Sequence, residues 1–254
     1  MIILLVSTIP IVGFNQNASA ETLLLFQDDP YLSGDDSPFF GADGPGADLC
    51  SIEDFFIEDF EDGTLDFGIT ASAGNVLAPG PLADSVDGDD GSIDGLGNGG
   101  HSWHIRDNPA SVTFTFSSPV THAGVVWTDG VGTNPTLGPA DTTFEAFGPG
   151  MVSLGTVGPL VIGDMMFNGA TAEDRFFGAI EATGISAISV SVSVGNLEVD
   201  HVQFCTQPKH VVGGELIPLD STMILLAGTQ MTAAWVIPMV VSAVGIGIVI
   251  ARKF

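Results

Sequence analysis

Positive charge is what this chain most lacks: five Lys and Arg stand against 31 Asp and Glu in 254 residues, a formal net charge of −26 at pH 7. Between Glu21 and His210 the only Lys or Arg residues are Arg106, Arg175 and Lys209. A surface this anionic repels phosphate backbones, which excludes nucleic-acid binding through a basic patch. Multivalent cations are its natural counterions, although a solvated acidic coat that keeps an exported protein soluble accounts for most of these carboxylates.

Cysteine is nearly as scarce. Cys50 and Cys205 are the only two, and they bracket the strand-rich part of the chain. In an oxidising exterior such a pair is most simply a disulfide joining the first strand to the last. Two buried thiols are an alternative, and a zinc pair is a weaker one because further ligands at close spacing are missing. Signatures of catalysis are absent too: there is no G-x-S-x-G, no H-E-x-x-H and no phosphate loop. No helical period persists before the C-terminal segment, which argues against a parallel α/β sheet.

What is present begins at the two ends. Met231 to Ile250 (MTAAWVIPMVVSAVGIGIVI) carries no charge over about 20 residues, the length of a membrane span, and Arg252 and Lys253 follow as a basic stop. Cations stay on the cytoplasmic side, so the upstream chain is expected outside the cell membrane with the C-terminus in the cytoplasm. Met1 to Phe14 is apolar and Ala18-Ser19-Ala20 offers small residues for cleavage, which predicts a signal peptide over 1–20 despite the lack of a cation before it.

Between the ends, residues 21–49 are rich in Asp, Gly, Pro and Ser without a period and read as an acidic flexible leader. Residues 50–206 change to short Val, Ile, Phe and Thr runs between turn residues, the pattern of an all-β, two-sheet antiparallel sandwich. Val112 to Phe116, Ala123 to Thr128, Thr142 to Gly148, Asp174 to Ile180, Ile185 to Val194 and Leu197 to Phe204 are the clearest strands. Alternation puts Ile188, Val190, Val192 and Val194 on one face of the fifth. Residues 207–222 form a Gly- and Pro-containing stalk, 223–250 the transmembrane helix with its core at 231–250, and 251–254 a basic tail.

Several segments carry a resemblance. EDFEDGTLDFGIT (Glu58 to Thr70), DSVDGDDGSIDGLGNGGHSW (Asp84 to Trp103), VTFTFSSPVTHAGVVWTDG (Val112 to Gly130), FEAFGPGMVSLGTVGP (Phe144 to Pro159), EDRFFGAI (Glu173 to Ile180) and LEVDHVQF (Leu197 to Phe204) resemble an exported β-sandwich module of prokaryotic surface proteins. Its architecture is similar to the jelly-roll domains of carbohydrate-binding modules. The tail from Gly213 to Phe254 resembles the anchor of surface proteins in ammonia-oxidising archaea. The resemblance implies fold and location and says little about ligand.

Asp84, Asp87, Asp89, Asp90 and Asp94 are interleaved with glycines, and such a loop can either wrap calcium or remain a mobile acidic loop. Its spacing departs from the EF-hand pattern, since the Glu at position twelve is missing. A second candidate cation site joins Glu58 and Glu61 of the first strand to Asp200 of the last. Jelly-roll carbohydrate-binding modules resemble this in placing a structural calcium between an early acidic strand and a late Asp. Asp200 in an apolar strand needs a partner, whether an ion, backbone donors or Arg175. His101 and His104 flank Trp103, a weak metal pattern better read as an edge or loop motif. Trp103 and Trp127 either offer ring faces to a sugar or fill the core.

The sequence thus predicts a membrane-anchored cell-surface protein with a non-catalytic binding or structural module. A glycan or another surface protein is its expected partner and calcium its expected structural ion. An extracellular hydrolase acting on polysaccharide is the second reading.

Overall fold

The structure is a computed structural model and describes residues 21–39, 50, 52–89, 91–130, 140–163, 166 and 169–206. The signal peptide, the stalk, the membrane span and the basic tail with Arg252 and Lys253 lie outside the described residues. No helix among the described residues is long and apolar enough to cross a membrane.

Among the described residues ten strands run in the order β1 (Leu23–Phe26), β2 (Phe55–Glu58), β3 (Thr70–Ala71), β4 (Asn75–Leu77), β5 (Ser102–Ile105), β6 (Ser111–Asp129), β7 (Asp141–Gly148), β8 (Val152–Val161), β9 (Arg175–Val192) and β10 (Leu197–Cys205). Every pairing is antiparallel. Two pairs of strands predicted as separate prove continuous. Val112 to Phe116 and Ala123 to Thr128 both belong to β6, and Asp174 to Ile180 with Ile185 to Val194 map to β9. The reason is that β6 and β9 pair in two stretches on either side of a corner and serve both layers of a sandwich. Ser111–Thr115 of β6 with Ala187–Ser191 of β9 join β7, β8 and β3 in one layer. His122–Trp127 of β6 with Arg175–Ile180 of β9 join β10, β5, β4, β2 and β1 in the other. Register shifts between Thr115, Val120 and His122 mark the corner, as expected where a strand switches sheets.

The core lies between these layers. Phe114, Phe144, Ile188 and Val190 from the first pack with Val125, Phe177, Val199 and Val202 from the second. The predicted alternation of Ile188, Val190 and Val192 matches their burial. Cys50 and Cys205 form the disulfide, with Cα atoms 5.9 Å apart, and β2 lies against β10 with Phe55 opposite Cys205.

The second layer is covered on its outer face as well. Tyr31, Phe39, Val86, Val126, Phe176 and Ile180 form a second apolar cluster there, and all nine residues of β10 are buried. The segment 21–49, read from composition as a flexible leader, supplies β1 and the fully buried rings of Tyr31 and Phe39. Isolated aromatics among Asp, Gly and Ser generate no period, yet a ring that buries about 150–250 Å² is enough to dock such a segment.

Candidate functional site

The outer face of β10 is polar and buried, a combination that requires partners for every group. Glu198 and Asp200 are i and i+2 on one strand and share a face. They receive the Asp- and Gly-rich loop that precedes β5: the Asp84 N–H donates to Glu198 Oε1 at 2.7 Å and the Val86 N–H to Asp200 Oδ2 at 2.9 Å. The Ser102 hydroxyl also donates to Glu198. The loop closes on itself as two short turns, 86–89 and 97–99. A Cβ on Gly88 would lie 2.6 Å from the Gly97 carbonyl oxygen, so that position needs glycine.

Register assembles a row across the sheet. Glu198 stands opposite His104 of β5 on one side and opposite Asp129 of β6 on the other. With Leu82 and Asn196 these three line a pocket of about 180 Å³. Asp129 is pushed up to about 9 by burial and then by the Glu173, Glu198 and Asp84 carboxylates. Burial also pushes Glu198 up to about 8, against the hydrogen bonds from Ser102 and Asp84. Both are therefore neutral acids at pH 7, each able to donate and to accept a hydrogen bond. Burial, then Arg106, lowers the His104 pKa. Its Nε2 accepts from Asn196 Nδ2 at 3.2 Å, which assigns the ring proton to Nδ1. His104 Nδ1 and Asn196 Oδ1 are buried without a hydrogen-bond partner among the described residues.

Next to this row, β10 bulges between Asp200 and Gln203 and puts His201 at φ 44°. Such a bulge re-aims a side chain. One ligand atom each from Asp87, Asp200 and His201 lie within 4.8 Å of one another. His201 Nε2 is 2.9 Å from Asp87 Oδ2, and Asp200 Oδ1 accepts the His201 N–H at 2.7 Å. Burial pushes Asp200 up to about 7, with the His201 charge opposing it. Burial lowers the His201 pKa, but Asp200 and Asp87 outweigh it and hold the ring above its usual value. A hollow of about 270 Å³, lined in part by Asp59, Asp87 and His201, opens beside the cluster. Two carboxylates and an imidazole form a donor set for a divalent cation with water completing its shell.

The remaining sequence candidates are dispersed. Glu58 accepts the N–H groups of Phe60 and Asp66 and so holds its own turn. Glu61 binds the backbone and ring of His101, and Asp94 accepts the Leu96 N–H. Asp84 is buried beside Glu198, Asp89 lies in the first short turn, and Asp90 is outside the described residues. Arg175 does not pair with Asp200; its guanidinium donates to the Ala172 and Asp174 carbonyls. Trp103 and Trp127 are 8% and 1% exposed and pack in the core, so neither presents a sugar platform. Around both rings the odd-numbered residues face inward, Ile105 beside Trp103 and Ala123 and Val125 before Trp127, and nothing local announces that direction. His104, Asp129, Asn196, Glu198 and His201 were not among the expected site residues. For Glu198 and His201 the local signal is LEVDHVQF, where Glu198 and Asp200 share a face of an otherwise apolar strand.

No protein-family model and no curated protein matches the chain. Among solved structures, it is similar to the CBM22-1 and GH10 modules of the Clostridium thermocellum endo-1,4-β-D-xylanase 10B, complexed with xylohexaose. The TM-score is 0.33 at 12% identity, over 63% of this chain and 29% of that one. It is also similar to TmCBM27, a mannan-recognising carbohydrate-binding module, with a TM-score of 0.32 at 14% identity over 60% and 98%. The family 32 carbohydrate-binding module from C. perfringens NanJ, in complex with galactose, gives a TM-score of 0.17 at 16% identity over 49% and 93%. None of these likenesses identifies a family for this chain.

Proposed function

We propose that this protein is a cell-surface, membrane-anchored binding module without catalytic activity, whose pocket takes a neutral sugar residue. The observation that carries this reading is the row of His104, Glu198 and Asp129 lining the pocket, with His104 Nδ1 and Asn196 Oδ1 lacking partners among the described residues. Buried polar atoms without partners call for a ligand that supplies them. Neutral acids, an amide and a neutral imidazole suit hydroxyl groups, while Leu82 adds an apolar wall. Anchoring is supported by the uncharged run from Met231 to Ile250 and the Arg252-Lys253 stop.

Hydrolysis is disfavoured by the same geometry. Glycosidases set two carboxyl groups on either side of the scissile bond and keep one ionised. Here Asp129 and Glu198 stand side by side on one sheet face and both favour the protonated form. A divalent cation at Asp87, Asp200 and His201 would pin the Asp- and Gly-rich loop against β10 as a structural ion, and the imidazole suits zinc better than calcium, which takes oxygen ligands. A glycan array probed with the full chain, with and without chelator, tests the reading. Retention of neutral glycans that Asn196→Ala weakens is expected, and turnover of any polysaccharide would sink it.

A further inference from the structure

At the far end of β10 a second hollow, of about 320 Å³, is lined by aromatic rings and hydroxyls. Phe116 and Phe204 form its apolar wall, Ser117, Ser118 and Thr206 its polar rim, and Phe67 stands at its edge 50% exposed. No charged side chain lines it among the described residues, although the chain carries a net charge of −26.

Phe67 is held there against its backbone preference. The Ile69 N–H donates to the Asp66 carbonyl at 2.9 Å, and both central residues have positive φ, 53° at Phe67 and 70° at Gly68. That is the pattern of a type I′ turn, whose central positions favour Gly, Asn or Asp. A bulky side chain in the left-handed region is a genuine outlier. The ring is also braced from behind, with its centroid 5.5 Å from Phe56 and 5.9 Å from Phe204, while Phe204 lies 5.4 Å from Phe116. An outlier that persists because its surroundings hold it is grounds for a functional role.

The geometry points to a second carbohydrate site in this hollow, taking the apolar face of a neutral sugar ring against Phe67 with its hydroxyls on Ser117, Ser118 and Thr206. A half-exposed ring braced on other rings offers the flat apolar face that a pyranose C–H surface covers. Ser and Thr hydroxyls both donate and accept, which matches sugar hydroxyls. A charged ligand finds no counter-charge in the lining, and an anionic one is repelled by the chain as a whole. The site shares only the ligand class with the pocket at Glu198. Phe204 stands six positions along β10 from Glu198, about 20 Å at strand rise.

Calorimetric titration of the full chain with xylohexaose, mannohexaose and cellohexaose tests the site. Phe67→Asn keeps a residue that tolerates the left-handed turn and should weaken the binding of at least one of these about three- to tenfold, with no fall in melting temperature. Phe67→Tyr should retain affinity. Unchanged affinity in Phe67→Asn overturns this site, and a loss in Asn196→Ala alone then leaves the pocket reading intact. A loss in Phe67→Asn but not in Asn196→Ala keeps this site and removes the pocket. Absence of binding to all three sugars overturns both.

Discussion

Glu198 of β10 lies directly opposite Asp129 of β6, two carboxyl groups 3% exposed and in register on one face of a sheet. Like charges directly opposite each other are destabilising. Burial drives both toward the neutral acid, with the Glu173, Glu198 and Asp84 carboxylates adding to it at Asp129 and those of Asp84 and Asp200 at Glu198.

Stability should therefore fall as pH rises. Both groups have folded pKa values raised above ordinary carboxylates, to about 9 and about 8. From about pH 4 upward the unfolded chain loses these protons while the folded chain keeps them. Their contribution is complete below that range and is lost as pH climbs through the folded values. Melting temperature measured from pH 5 to 9 is expected to decline, and Asp129→Asn or Glu198→Gln should flatten the decline. A flat wild-type profile would show that the pair is already ionised and compensated.

The cation site makes a separate prediction. An ion bound to the folded state alone stabilises by about 2.7 kcal/mol at a hundredfold excess over its dissociation constant. A divalent cation added after chelation, zinc more than calcium, should raise the melting temperature, and Asp87→Asn should abolish the rise. No response to either ion would remove Asp87, Asp200 and His201 as ligands of a metal.

Tyr31 tests whether the N-terminal segment belongs to the core. Its ring is fully buried against Phe176, and its hydroxyl accepts from Gln203 Nε2 at 2.7 Å. Truncation of such a side chain costs about 3–5 kcal/mol, so Tyr31→Ala should lower the denaturant midpoint sharply. A change within about 0.5 kcal/mol, typical of surface sites, would return 21–39 to the status of a leader.

Local pattern was enough for part of this protein. The all-β character, the position of the main strands and the pairing of Cys50 with Cys205 follow from period-2 alternation, turn residues and the scarcity of cysteine. These features are written within a few residues of each other or in residue counts, and tertiary structure does not alter them. The export signal and the membrane span remain readings of the sequence alone.

Register and the direction each face points are not local, and they decided the site. Whether Trp103 and Trp127 turn inward depends on which layer lies above them. Only the pairing of β5, β10 and β6 brings His104, Glu198 and Asp129 into one row. The Asp- and Gly-rich loop was conspicuous in the chain, but the carboxylates that dock its backbone belong to β10, more than a hundred residues away. Composition shows how many carboxylates the protein has; burial on both faces of one strand determines which of them must find a partner.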